Sequence, residues 1–176
     1  MNFCPNCGQP ISRQIPPGDD RLRDVCESCQ IVHYHNPIMV VGCIPEYQDK
    51  ILLCRRSIEP RLGYWTIPAG YLENRETVTE GARREAFEET GADMEILDLV
   101  TVVTLLPYHQ VYLIFRAKLR DQHFGPTEES SEVRLFAEND IPWSELAFET
   151  VKKSLEFYFQ DRAKGTYALH MTSIGR

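Results

Sequence analysis

The chain has 176 residues, 43% hydrophobic and 26% charged, a globular balance with room for one full-sized domain and an appendage. Acidic residues outnumber basic ones 26 to 19, for a formal charge of −7, so no global field draws nucleic acid or anionic lipid, and an anionic partner must be met by local chemistry. No run approaches the roughly 20 apolar residues that span a bilayer, and Met1-Asn2-Phe3-Cys4-Pro5 lacks the basic segment and apolar core of a signal peptide; a soluble, cytoplasmic protein with no membrane partner is expected.

In chain order, the first features are two Cys-x2-Cys knuckles, Cys4-Pro5-Asn6-Cys7 and Cys26-Glu27-Ser28-Cys29, with 18 residues (8–25) between them. In a reducing compartment such cysteines serve as metal ligands or buried thiols, and this spacing falls within that of four-thiolate zinc sites. Gly8 supplies a turn after Cys7, and Pro16-Pro17-Gly18-Asp19-Asp20 excludes a helix. The segment has too few apolar residues to fold by burial, so a structural Zn²⁺ on Cys4, Cys7, Cys26 and Cys29 is expected to supply folding free energy on the order of 10 kcal/mol or more. A dithiol redox centre would need an exposed low-pKa thiolate beside a βαβ unit, which the flanks do not suggest. His33 and His35 lie close enough in sequence to substitute as ligands, but four thiolates complete a tetrahedron, and both read as interface or surface histidines.

Asn36-Pro37 marks a boundary, because proline forces the preceding residue out of helix, giving a zinc ribbon over 1–36 and a second domain over 37–176. Residues 38–44 and 50–55 read as strands joined by a hairpin-like 45–49, with Cys43 and Cys54 as buried inert thiols. A helix is predicted over 77–90: Thr77 and Glu80 have capping-box spacing, Gly91 is a stop, and Val78, Ala82 and Ala86 repeat on a buried stripe. Strands follow at 96–106 and 111–119, then a loop at 121–131 and a short strand at 132–136. A closing helix is predicted over 145–161, with Leu146, Val151, Leu155 and Phe159 facing inward. The fold class is α+β with hairpin-connected strands. The absence of a G-x-G-x-x-G turn argues against a dinucleotide-binding Rossmann domain.

The predicted helix presents Glu85, Glu88 and Glu89 at i, i+3 and i+4 on one face, within reach of one cluster of hard cations. At ~6 Å and an effective dielectric of ~20, each like-charge pair costs roughly 3 kcal/mol, which Arg83 and Arg84 partly relieve; taken alone, the glutamates read as an ordinary solvated face. Their context is longer: Gly70, five residues, Glu76, seven residues, then Arg84-Glu85-Ala86-Phe87-Glu88-Glu89-Thr90-Gly91-Ala92. This resembles the Nudix box, G-x5-E-x7-R-E-U-x-E-E-x-G-U with U aliphatic, and it matches at every defined position when Ala86 and Ala92 count as U. The lead-in from Gly63 to Gly70 is also similar to the family's, with Ala69 where many members have a second glycine.

The resemblance implies a Nudix fold, mixed β-sheets sandwiched by helices, that hydrolyses a diphosphate linkage with Mg²⁺ or Mn²⁺. It assigns metal binding to Glu85, Glu88 and Glu89, with the Ala69 carbonyl as a further ligand, and makes Arg84 and Glu76 an orienting pair. Such metals would reverse the local sign of an acidic face toward an anionic substrate. Many members carry a catalytic base on a loop beyond the box; Glu129 is favoured here, with Glu128 and Glu132 behind it, against the alternative that these are solvated loop acids.

A four-cysteine ribbon joined to this box brings two branches to mind. The NADH pyrophosphatase group carries a Ser-Gln-Pro-Trp-Pro-Phe-Pro type signature, absent after Gly91. The other branch resembles the chain over nearly its full length, through the ribbon, Asn36-Pro37, Val40-Val41-Gly42-Cys43, Leu53-Cys54-Arg55-Arg56, the box and Arg134-Leu135-Phe136: the FAD pyrophosphatases of plant plastids and bacterial ADP-ribose pyrophosphatases. It implies cleavage of FAD or ADP-ribose to AMP plus FMN or ribose 5-phosphate, in a homodimer. Tyr64, Tyr71, Tyr108 and His109 are candidates to stack on adenine or flavin, and Arg55, Arg56 and Arg61 to meet phosphate, against core packing and solvated strand ends. NADH or capped RNA is the alternative substrate. A different class is a regulator whose ribbon contacts nucleic acid or protein while the second domain senses a nucleotide; Arg13, Arg21 and Arg23 favour it, but Asp19, Asp20 and Asp24 cancel their charge, and no nucleic-acid partner is expected.

Overall fold

The computed structural model describes residues 1–175, and the chain divides into two units, Met1–Asn36 and Pro37–Arg176. In the first, a three-stranded antiparallel sheet joins β1 (Ser12–Gln14), β2 (Arg23–Val25) and β3 (Val32–His33). The Gly8 N–H closes the first knuckle by donating to the Cys4 carbonyl at 2.8 Å, and Gly8 takes the left-handed φ of 74° that this turn requires. The local charges pair internally: Arg23 donates to Asp19 at 2.8 Å, and Arg13 and Arg21 lie 3.7 Å from Asp24 and Asp20.

The second unit is built on an eight-stranded mixed sheet. Its strands are β4 (Ile38–Tyr47), β5 (Lys50–Arg56), β6 (Trp65–Thr66), β7 (Ala69–Tyr71), β8 (Met94–Leu105), β9 (Gln110–Leu119), β10 (Ser130–Phe136) and β11 (His170–Ile174). The main path runs β10-β5-β4-β9-β8-β11, while β6 pairs with β5 and β7 with β4. Two of the pairings, β4 with β9 and β8 with β11, are parallel.

Two helices, α1 (Val78–Thr90) and α2 (Glu149–Lys164), bury separate cores. Because side chains alternate along a strand, neighbours divide between the two: Cys43, Leu52 and Phe115 pack with Ala82 and Ala86 of α1, while Ile44, Leu53 and Ile114 pack with Val151, Leu155 and Phe159 of α2. The continuous apolar runs of β4 and β5 are those of strands covered on both faces, the expected helix-flanked mixed sheet. No helix among the described residues is long and apolar enough to cross a membrane.

Three element expectations need correction. Strand β4 runs on through Pro45 and Glu46, because parallel pairing with β9 carries it there (Pro45 beside Ala117), and only Gln48 and Asp49 are left for the turn. The closing helix starts at Glu149 rather than 145: Leu146 bridges to Trp65, and the Ala147 N–H donates to the Trp65 carbonyl at 2.8 Å, so this backbone is committed to the sheet. Strands β6, β7 and β11 are unforeseen, since two to five residues hold no period and their partners are remote in sequence.

Candidate active site

Helix α1 has both ends set by its own sequence. The Thr77 hydroxyl accepts from the Glu80 N–H at 3.2 Å, and the Glu80 carboxylate accepts from the Thr77 N–H at 2.8 Å; at the other end Gly91, at φ 70°, donates to the Phe87 carbonyl. With Ala82 and Ala86 against the sheet, the helical phase turns Glu89 inward at its edge, where it is only 5% exposed.

There Glu89 Oε2 accepts from the Ala69 N–H at 3.0 Å and lies 3.7 Å from the Cys54 thiol. Burial pushes the Glu89 carboxyl up to about 8, and Glu85's charge adds to the rise against the Ala69 N–H. The Glu85 carboxyl is also raised, chiefly by burial. It lies over Gly70 so closely that a Cβ there would overlap the carboxylate and the Glu85 side chain would have to move. Gly42 does the same for the opposing backbone, since a Cβ there would strike Ala69.

Arg84 binds the acidic face together. Its Nε and Nη2 donate to both oxygens of Glu76 at 3.0 and 2.7 Å, Nη1 donates to Glu85 at 2.7 Å and Glu88 at 2.9 Å, and Nη2 also reaches the Tyr71 carbonyl at 3.0 Å. The guanidinium holds the Glu76 carboxyl down at about 2, helped by the Glu73 N–H. Part of the like-charge repulsion is thereby neutralised. Glu85 and Glu88 turn toward Arg84 and Glu89 toward Ala69.

A cavity of about 930 Å³ opens against this face. Ala69, Glu85, Glu88 and Glu89 line it, as do Arg84 and Glu129; Glu76 stands behind Arg84. Glu128 and Glu132 do not line it: Ser57 takes up the Glu128 carbonyl, and the Glu132 carboxylate sits 3.7 Å from Arg55 and 3.8 Å from Arg134. Arg56, Arg61, Tyr71 and Tyr108 are in the wall; Arg55, Tyr64 and His109 are not. Adjacent residues of a strand face opposite sides, so only one of the two β5 arginines can enter. Arg56 does, over Phe148, whereas Arg55 donates to the Gly63 carbonyl at 2.8 Å and lies over Trp65. Tyr64 lies under the Arg61 guanidinium instead. The sequence reading missed Gln110, Tyr112 and Phe148, all in the wall. The two β9 residues share their face with Ile114, and that period of two was the available signal.

The four ribbon thiols form a separate cluster. Their sulfurs lie within 4.8 Å of one another, Cys4 to Cys29 at 3.7 Å and Cys7 to Cys26 at 3.5 Å. A tetrahedron with Zn–S near ~2.3 Å has edges of ~3.8 Å, so the cage fits that ion. The Ile31 N–H is the main influence holding the Cys29 thiol down at about 7. His33, expected at the surface or an interface, places Nε2 3.3 Å from Cys4 Sγ and supports the cage directly. His35 pairs instead with the buried Asp24 at 2.7 Å.

Both parts of the chain match known family models. A family model described as the NUDIX domain matches residues 36–159, and one described as Nudix N-terminal, of zinc-ribbon type, matches residues 2–35. Among curated proteins, the chain is 30% identical over 123 residues to an ADP-ribose pyrophosphatase of Methanocaldococcus jannaschii, covering 68% of this chain and 72% of that one. It is 27% identical over 165 residues to an NAD-capped RNA hydrolase of Stutzerimonas stutzeri, covering 91% of this chain and 56% of that one; it thus spans only about half of that longer relative. A solved NUDIX hydrolase from Nitrosomonas europaea is 46% identical, with a TM-score of 0.96 over 100% of both chains. With the box folded against a cavity and a family model matching most of its length, the chain belongs to the Nudix family of hydrolases.

Proposed function

We propose that the chain hydrolyses the diphosphate linkage of an adenosine diphosphate derivative, ADP-ribose or FAD, releasing AMP with ribose 5-phosphate or FMN. The observation that carries this reading is the set of box carboxylates, Glu85, Glu88 and Glu89, around the Ala69-Gly70 backbone in the wall of a cavity of about 930 Å³. Burial raises the Glu85 and Glu89 carboxyls, and together with the neighbouring Glu88 they make a donor set that suits a hard divalent cation. In this reading Glu85, Glu88, Glu89 and the Ala69 carbonyl hold Mg²⁺ or Mn²⁺. Such an ion, when bound, neutralises a diphosphate and acidifies water.

Arg84, locked by Glu76, positions Glu85 and Glu88. Glu129 accepts the proton of the attacking water, and Arg56 and Arg61 meet the phosphates. Cys4, Cys7, Cys26 and Cys29 hold a structural Zn²⁺. The names of the relatives, an ADP-ribose pyrophosphatase and NAD-capped RNA hydrolases, support an adenine-bearing diphosphate and keep NADH and NAD-capped RNA as the second reading. The homodimer rests on resemblance alone, and sedimentation tests it. A nucleic-acid-binding regulator is disfavoured by the internally paired ribbon charges.

The test is incubation with FAD, ADP-ribose, NADH and NAD-capped RNA under Mg²⁺ and under Mn²⁺, with the products identified. AMP release from ADP-ribose or FAD well ahead of the other two supports the reading, and comparable rates on all four defeat it. Glu88→Gln and Glu89→Gln should each abolish turnover with folding intact; retained turnover in either removes that ligand. A salt-dependent RNA shift with no AMP released from any substrate would favour the regulator.

A further inference from the structure

One wall of the cavity contains a polar group that the chemistry above does not use. Strand β9 alternates so that Gln110, Tyr112 and Ile114 share the face lining the cavity, with Ile114 1% exposed and Gln110 at the accessible end. The Gln110 amide is held at both ends: Tyr112 donates its hydroxyl proton to Oε1 at 3.1 Å, and Nε2 donates to the Tyr71 hydroxyl at 3.4 Å. A carboxamide has two N–H donors and two acceptor lone pairs. Among the described residues each end of Gln110 therefore has one unspent capacity, a donor on Nε2 and an acceptor on Oε1.

Its neighbours supply what a flat heterocycle needs. Tyr71 and Tyr108 are 56% and 68% exposed and line the same cavity, so their ring faces are free to stack. The patch is also close to the carboxylates. Tyr71 is two residues along β7 from Ala69, about 7 Å at strand rise, and its own carbonyl receives Arg84. A base stacked here would be separated from a phosphate at Glu89 by little more than a sugar.

A carboxamide presents a donor and an acceptor, and the N6–N7 edge of adenine sets an exocyclic N–H next to a ring-nitrogen acceptor; glutamine pairs with adenine in two hydrogen bonds in this way. Hypoxanthine and guanine place a carbonyl oxygen where adenine has the amino group, so that edge carries two acceptors, O6 and N7, and one of them opposes Gln110 Oε1 whichever way the amide is turned. We propose that Gln110 is the specificity-determining residue of the site, reading the adenine edge of the substrate while Tyr71 and Tyr108 stack on its ring. This rests on the adenosine-diphosphate reading above and names the group that makes it adenine-selective.

Binding of AMP and IMP to the full chain in Mg²⁺, by calorimetry, tests the base without requiring turnover. The wild type should bind AMP tighter than IMP by roughly tenfold to a hundredfold, as one two-bond base contact provides. Gln110→Met should collapse that ratio to within about threefold, through lost AMP affinity, and Gln110→Ala, which makes no demand for space, should do the same. A wild-type ratio below about threefold, including no measurable binding of either nucleotide, overturns the proposal. So does a ratio that survives in either variant. ADP-ribose hydrolysis measured alongside separates the two claims: an intact ratio without cleavage removes the proposed reaction and supports the base reading, and cleavage without a ratio does the reverse.

Discussion

The ribbon and the catalytic unit are stabilised by different physics. In Met1–Asn36 the buried apolar side chains, Pro16 apart, are Cys4, Val25 and Cys26, two of them members of the thiol cage. In the second unit two separate clusters fill both faces of the sheet, with Ile44, Leu52, Leu53 and Leu155 fully buried. A segment of the first kind has almost nothing to gain from burial and depends on its ligands. A sandwich of the second kind has a hydrophobic surplus, part of which is spent on burying Glu89 beside Glu85. The difference teaches that the cysteines are to the ribbon what the two cores are to the sandwich: the ribbon's buried carboxylate, Asp24, is paired with His35, whereas the sandwich buries Glu89 against the Ala69 N–H.

The sharpest way to break this comparison is to remove the proposed zinc. Chelation, or Cys26→Ser, should forfeit on the order of 10 kcal/mol of folding free energy in the ribbon. Amide exchange should then show β1–β3 losing protection while β4–β10 keep theirs; protected ribbon strands in the metal-free chain would refute the contrast. Next in size is Leu155→Ala, which empties a fully buried site under α2 and should cost about 2–5 kcal/mol, read from the urea midpoint at unchanged slope. Gly70→Ala probes the carboxylates instead. Its Cβ must displace Glu85, and turnover or metal affinity should fall roughly tenfold to a hundredfold, the range for disturbed metal-site support, with a midpoint near wild type.

The smallest effect is acid sensitivity from Glu76. Its carboxyl is held at about 2 against an ordinary 4.5, first by Arg84, so its stabilising contribution is full above 4.5 and disappears as the pH falls toward 2. Glu76→Gln lacks that dependence. The difference in urea midpoint between wild type and variant should shrink across this window and stay flat above it.

Much of α1 was legible because its signals lie within a turn or two. Thr77, Glu80 and Gly91 set the ends, and Ala82 and Ala86 set the buried stripe. The closing helix was misread by four residues because Leu146 and Ala147 satisfy a strand distant in sequence rather than a helical turn. Arg55 and Arg56 looked interchangeable for the same reason, since only the pairing of β5 with β6 and β10 decides which of two consecutive side chains meets the cavity.

By itself the sequence determined the helix that carries Glu85, Glu88 and Glu89, the four-cysteine spacing and the Nudix resemblance, because capping, helical phase and ligand spacing are properties of short segments. Only the tertiary structure decided that Glu89 is buried on the Ala69 N–H, that Arg84 joins Glu76, Glu85 and Glu88, and that Gln110 and Tyr112 face the same cavity. Burial and cross-strand neighbours are set by contacts between residues tens of positions apart. No local pattern encodes them, and they determine how tightly a carboxyl holds its proton and which side chains a substrate can reach.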